Sequence, residues 1–328
     1  MAQSFSISTQ AAPAVRGGYG FYAGMAVLAV FLWWMSTYHM AEMPFWAPWD
    51  FSPLWFIAAV LAVYWYGCGL ARTPAAERPA LWRTIFYYAG ILLIWLVLQT
   101  RFEYMAQHMF FLNRAQHVVM HHLGPFLIAL AWPGATLMKG MPEAARRFTR
   151  WRPLKAVVAV VQQPLLAALL FFGLIALWLT PSIHFHAMID PALYRIMNWS
   201  MVVDGLFFWC LVLDPRPAPP AYTSFAMRAT LTMLVMFPQI LMGALIAFAE
   251  HDIYTFYDWC GRLYPTVSAI DDQQYGGMIV WIPSAMMSVI ALIIVINFLR
   301  QAEERQWSEG DTENATGPII ASAPWTGR

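Results

Sequence analysis

The sequence predicts an all-α polytopic membrane protein, a bundle of about eight transmembrane helices with both termini in the cytoplasm. Three observations carry this. Hydrophobic residues make up 60% of the 328 and charged residues 11%, with mean hydropathy +0.53, where a soluble domain is about one quarter charged. Eight apolar stretches are long enough to cross about 30 Å of hydrocarbon as helices. No run alternates in the ten-residue pattern of a barrel strand, so helices are the one way to satisfy the backbone in lipid.

The expected spans, in order, are 21–38, 54–71, 84–106, 116–138, 157–179, 192–213, 227–249 and 277–299. A polar tail (1–20) precedes the transmembrane domain (21–300), and a polar, disordered cytoplasmic tail (301–328) follows it. The chain opens on polar MAQSFSISTQAAPAV rather than on a basic stretch feeding a short apolar core, so the first span is expected to be a signal anchor. Trp and Tyr gather at span ends, as in WWMSTYH and FWAPWDF, suiting the headgroup level. Of 19 Lys and Arg residues, only Arg101, Arg114, Arg195 and Arg262 fall outside the amino-terminal side and its alternate loops; positive charge marks the cytoplasmic face. The segment KGMPEAARRFTRWRPLK (139–155) reads as an amphipathic anchor on the inner leaflet. Pro125, Pro133, Pro238 and Pro283 lie inside spans, where proline kinks a helix. Net charge is +1, which gives no reason to expect a nucleic-acid partner. Cys68, Cys210 and Cys260 are scattered, without a disulfide framework or a thiolate metal site.

In this topology all eight histidines fall on the extracytoplasmic half, accompanied by Met40, Met43, Met105, Met109, Met120 and Met188. Imidazole suits copper, zinc and iron, and thioether selects Cu(I), so the mixture favours copper as Cu(I). The densest part is MAQHMFFLNRAQHVVMHHLGP. Met105, His108 and Met109 share a helix face by their i, i+3, i+4 spacing, as do His117 and His121. Met120 lies near His117, and His122 lies about 100° round from His121. With a short turn between antiparallel helices, His108, His117 and His121 are expected to face one another. His39, Met40 and Met43 read as a loose Cu(I)-capturing segment. His184 and His186 alternate, which suits an extended segment. Asp204 is an intramembrane carboxylate and marks function by default. Asp271 and Asp272, before Gly276 and Gly277, are positioned to ligate a metal or to hold an imidazole in its tautomer.

These blocks resemble the CtaG-type cytochrome c oxidase assembly factors of bacteria. The similarity runs from WAPWDFSPLW (46–55) to the last span. It is carried by FSPLW; by His117-Val118-Val119-Met120-His121 with Leu123, Gly124, Pro125 and Phe126; by AWPG (131–134), QPLLAALLF (163–171), GLFFWCLVLDP (205–215) and LMGALIAFAEHDIY (241–254); and by DDQQYGGMIVWIP. The family's His-Met-x-x-His carries over as His117 and His121, with Val118 where Met is usual; His108 and Asp272 carry over as well. A Glu-His pair and a Trp-His pair of the family are replaced by Asn198-Trp199 and Trp178-Leu179. The resemblance implies a multi-pass protein of the bacterial cytoplasmic membrane that matures haem–copper oxidases. It would take copper, with or without a periplasmic copper chaperone, and hand it to oxidase subunits without being an enzyme. Two alternatives share the residues: a metal transporter with Asp204 and the span prolines on its path, and a membrane di-iron oxygenase using His117-x-x-x-His121-His122. A metal-free scaffold for oxidase subunits is a third.

Overall fold

The computed structural model describes residues 18–316, with side chains to 308. Six helices are long and apolar enough to cross a membrane, and eight spans result when each of two bent pairs counts as one. The described residues contain no strand. α1 (Gly18–Tyr38) leans on α2 (Pro53–Ala71) through the stacked rings of Phe21 and Tyr64, 3.5 Å apart. Between them a single 3-10 turn covers Met40–Glu42.

α3 (Leu81–Gln99) ends where Thr100 turns extended, at φ −108° and ψ −176°. The Thr100 hydroxyl then accepts from Phe102 N and starts α4 (Arg101–Ala106). The third span therefore stops short of 106, and α4 lies beyond it.

α5 (Phe110–His117) continues through a π-helical segment (Val118–Leu123) into α6 (Gly124–Ala131). The cause is legible in HHLGP. Pro125 has no N–H, so the His121 carbonyl has no i+4 donor and the turn widens. Trp132 adopts φ 51°, and after Pro133 the short α7 (Gly134–Gly140) leaves at 77°. The expected 116–138 span is thus a helix begun earlier and broken at Pro133.

α8 (Glu143–Thr149) and α9 (Arg152–Val161) carry the basic segment, and α9 meets α10 (Pro164–Leu179) at 76°. Phe148, Trp151, Val157 and Val160 are exposed here beside the arginines, as an interfacial anchor requires. α11 (Pro181–Ile189) is helical, which corrects the extended reading of His184 and His186; Pro181 at its first position favours helix initiation.

The rest of the bundle is α12 (Pro191–Val212), α13 (Phe225–Ala247), the short α14 (Phe256–Cys260) and α15 (Ala269–Thr316). α13 and α15 run in close contact. A Cβ on Gly277 would stand 2.5 Å from Ala247 N, and one on Gly243 would stand 2.7 Å from Gly277 O. α15 remains helical to Thr316, where a disordered tail was expected from 301; residues 1–17 and 317–328 lie outside the described residues. Three aromatic-rich clusters form the core, one around Trp178, Met120 and Tyr257, one around Phe171, Phe208 and Trp209, and a smaller one around Tyr66, Tyr87 and Ile91. The polar cluster described next lies where α5, α12, α13 and α15 converge.

Candidate metal centre

The π segment turns His121 and His122 inward together. Both are buried, and their Nδ1 atoms lie 3.2 Å apart. His121 Nε2 is 3.0 Å from Asp204 Oδ2 on α12. His122 Nε2 is 3.3 Å from Gln239 Oε1 on α13. The stack of Phe171 on His121, with centroids 4.2 Å apart, closes one side. Gly205 makes the close approach possible, because a Cβ there would stand 2.2 Å from the His121 carbonyl oxygen.

These partners set the tautomers once the orientation of the Gln239 amide is given. A carboxylate only accepts, and so does the amide oxygen that Gln239 presents. With the amide oxygen turned toward His122, both Nε2 atoms carry the protons. The two Nδ1 lone pairs then face each other with no hydrogen between them. Such a pair is repulsive unless a cation lies between, and outer imidazole nitrogens held by a carboxylate or carbonyl are the usual support of metal-ligating histidines. Two nitrogens bound at about 2.0–2.1 Å in a tetrahedral arrangement stand about 3.3 Å apart, close to the separation seen here.

His117 lies one turn earlier. It is 5% exposed and its Nε2 has no hydrogen-bond partner. It lines, with His121, His122, Met201 and Ser284, a cavity of about 20 Å³, room for one water or one bare ion. Among the described residues no group of three or more His, Cys, Asp or Glu side chains is already arranged to hold a metal ion. Two donors converge, and His117 is a third on the same wall.

Arg114 lines this cavity too. It is fully buried, donates to Asn113 Oδ1, stands over the Phe110 ring at 5.1 Å, and leaves its Nε without a partner. No carboxylate pairs with it among the described residues.

The other expected ligands are dispersed. His108 is half-buried at the α4–α5 turn, with Nδ1 2.8 Å from Tyr104 O and its ring against Tyr104. Met105 is half-buried there, whereas Met109 and Met120 are fully buried, Met120 in the apolar core. Asp272 accepts from Phe110 N at 3.0 Å and from Phe111 N at 2.8 Å, and pairs with Arg262. It caps α5 and so fixes the depth of the histidines. His39 Nδ1 is 3.4 Å from Glu42, Met40 is 41% exposed and Met43 is 8% exposed, so one thioether-bearing residue of that segment is open and the other enclosed. His184 bonds the Trp178 carbonyl and the Tyr257 hydroxyl; burial holds its imidazole well below the usual range.

Sequence reasoning passed over Gln239 and Arg114. Gln239 is a lone amide in the apolar run MLVMFPQILM, and that contrast is the signal that could have found it.

The family model of the cytochrome c oxidase caa3 assembly factors (Caa3_CtaG) matches residues 62–301. No curated protein and no solved structure matches. The matched stretch is more than half of the chain and contains the whole histidine cluster, and the chain belongs to this family.

Proposed function

We propose that this assembly factor binds copper as Cu(I) between His121 and His122, with His117 as a third donor, and passes it to a cytochrome c oxidase subunit docked in the membrane. The observation that carries the reading is the pair of Nδ1 atoms 3.2 Å apart, each ring held from behind by Asp204 or Gln239. Neutral imidazoles suit copper. The Arg114 guanidinium on the same cavity weakens the hold on any cation, which suits a carrier that must release its cargo. No step of chemistry is asked of the protein, so the role is transfer by ligand exchange rather than catalysis.

The basic loops orient the chain in a bacterial cytoplasmic membrane with both termini inside. The α5 end at Phe110 then faces the outer compartment. His121 lies eleven residues further along, about 16 Å at 1.5 Å per residue, so the cargo is held well below the outer surface. His39, Met40, Met43, Met105 and His108 would act earlier, receiving copper from the periplasm or from a copper chaperone.

The test is metal content. The full chain, purified after expression with Cu(I), is expected to hold about one copper, and the His121→Ala/His122→Ala variant to hold almost none while keeping its melting temperature. A folded double variant with wild-type copper content overturns the site. In cells, the same variant should leave an oxidase copper centre unfilled.

A further inference from the structure

Two cavities away from the histidines share a wall. The upper one is a polar chamber of about 580 Å³ between the start of α2, α4 and the start of α12. Its inner side presents hydrogen-bond acceptors. Glu103 is 4% exposed; its Oε1 accepts from Asn198 Nδ2 at 3.4 Å and its Oε2 from Gln116 Nε2. Asn198 is 3% exposed, and its Oδ1 has no partner. Asp50 adds a second carboxylate, and Arg195 lies exposed at the rim.

The lower cavity is an apolar groove of about 150 Å³, walled by Ala59 and Ala62 of α2, Ile91 and Ile94 of α3, and Val202 and Leu206 of α12. Trp55 and Leu98 line both cavities and join them. The stacked indoles of Trp55 and Trp199, 3.6 Å apart, form the neck. From Trp55 to Ala62, from Leu98 to Ile91 and from Trp199 to Leu206, each wall descends about two turns. That is about 10 Å of helix, less than half the thickness of a hydrocarbon core.

Each part asks for a different chemistry. A buried acceptor without a donor is destabilising, so the chamber wants N–H groups carrying positive charge. The rim guanidinium wants an anion and suits phosphate. The groove wants hydrocarbon. We propose that chamber and groove form one site for a phospholipid with a primary ammonium headgroup. The ammonium donates to Asn198 Oδ1 and to the Asp50 carboxylate, the phosphate lies at Arg195, and one acyl chain fills the groove between α2, α3 and α12. A peptide in this place would bring backbone N–H and C=O groups into a groove that satisfies none of them. A quaternary headgroup has no N–H to give Asn198, so the site distinguishes the two lipids by hydrogen bonding. The assignment stands apart from the copper reading.

The test uses the full chain reconstituted in equal parts phosphatidylethanolamine and phosphatidylcholine, then extracted in mild detergent, with retained lipid counted by mass spectrometry. About one phosphatidylethanolamine per chain is expected, enriched at least tenfold over phosphatidylcholine. Arg195→Ala/Asn198→Ala should bring that ratio near one at an unchanged melting temperature. Ala59→Phe should expel the lipid with every headgroup contact intact. Equal retention of the two lipids by the wild type overturns the proposal, as does wild-type retention by both variants. Soluble phosphoethanolamine competing as well as the lipid would remove the groove from the site, and a lysine peptide occupying the chamber in place of lipid would reassign it to a protein partner; either result also overturns the proposal.

Discussion

Replacing Gly205 by alanine strikes the point where α12 touches the π segment. The added Cβ would stand 2.2 Å from the His121 carbonyl oxygen and 3.0 Å from its carbonyl carbon, against ordinary contact at 3.4–4 Å. The obstacle is backbone, so no side chain can swing aside. The helices must part by about 1 Å, and overpacking of this kind costs about 1–3 kcal/mol. The His121–Asp204 bond, now 3.0 Å, would lengthen to about 4 Å, past the reach of a hydrogen bond. Without that bond nothing keeps the proton on His121 Nε2, and Nδ1 is no longer held ready for a metal. The assay is copper content with thermal unfolding in detergent. Gly205→Ala should lose most of its copper and melt lower. Gly173→Ala is the control: it sits in α10 with nothing within 4 Å and should gain about 0.5–1 kcal/mol from reduced backbone entropy. A Gly205→Ala protein with wild-type copper and melting temperature would refute the tight α12 contact and the role given to it.

Asp272→Ala would leave Phe110 N and Phe111 N without their acceptor, while Arg262 keeps Asp252 and Asp258; a buried donor left unsatisfied costs about 1–3 kcal/mol, read as a lower melting temperature and restored in part by Asp272→Asn. Glu103, in α4 beyond the third span, titrates high, since burial pushes its carboxyl from 4.5 to about 8. The fold therefore favours the protonated acid. Stability from this group is intact below pH 4.5 and is lost as pH rises toward 8, at up to about 1.4 kcal/mol per pH unit. Melting temperature should fall across that window, and Glu103→Gln should flatten the fall; an unchanged slope in the variant would contradict it. For topology, an alkaline phosphatase fusion after Pro265 should be active and one after Pro217 inactive, and the reverse pattern would invert the membrane orientation.

The helical bundle and most of its spans were legible because lipid leaves the backbone few options, so composition and run length settle the class. The breaks were less so. Thr100 ends α3 by a local turn inside an apolar-looking run, and Pro133 divides a stretch whose hydropathy is continuous. The site was half legible. His117, His121 and His122 were visible as a spacing, and Asp204 as a carboxylate in lipid. Which nitrogens converge depends on the π segment that Pro125 opens, and helical-wheel spacing at 100° per residue does not describe that turn. His108 was grouped with the cluster by adjacency in sequence, and Asp272 as a carboxylate able to ligate a metal or to back an imidazole. In space one binds its own turn and the other caps α5.

The chemistry of the cluster turns on one amide. With Gln239 Oε1 toward His122, both imidazoles expose bare Nδ1 atoms to each other. With the amide turned, His122 Nδ1 would carry a hydrogen to His121 and the pair would be an ordinary buried hydrogen bond. Gln239→Glu separates the two. Ionised glutamate only accepts, so it enforces the first arrangement and adds a negative charge behind His122. Copper affinity should then hold or rise, as it does where carboxylates back ligating imidazoles. In the second arrangement the same change puts two acceptors face to face and should lower both stability and copper content. Measuring Cu(I) affinity by competition with a chromogenic chelator, alongside melting temperature, decides between them, and a joint loss would remove the metal from between these two rings.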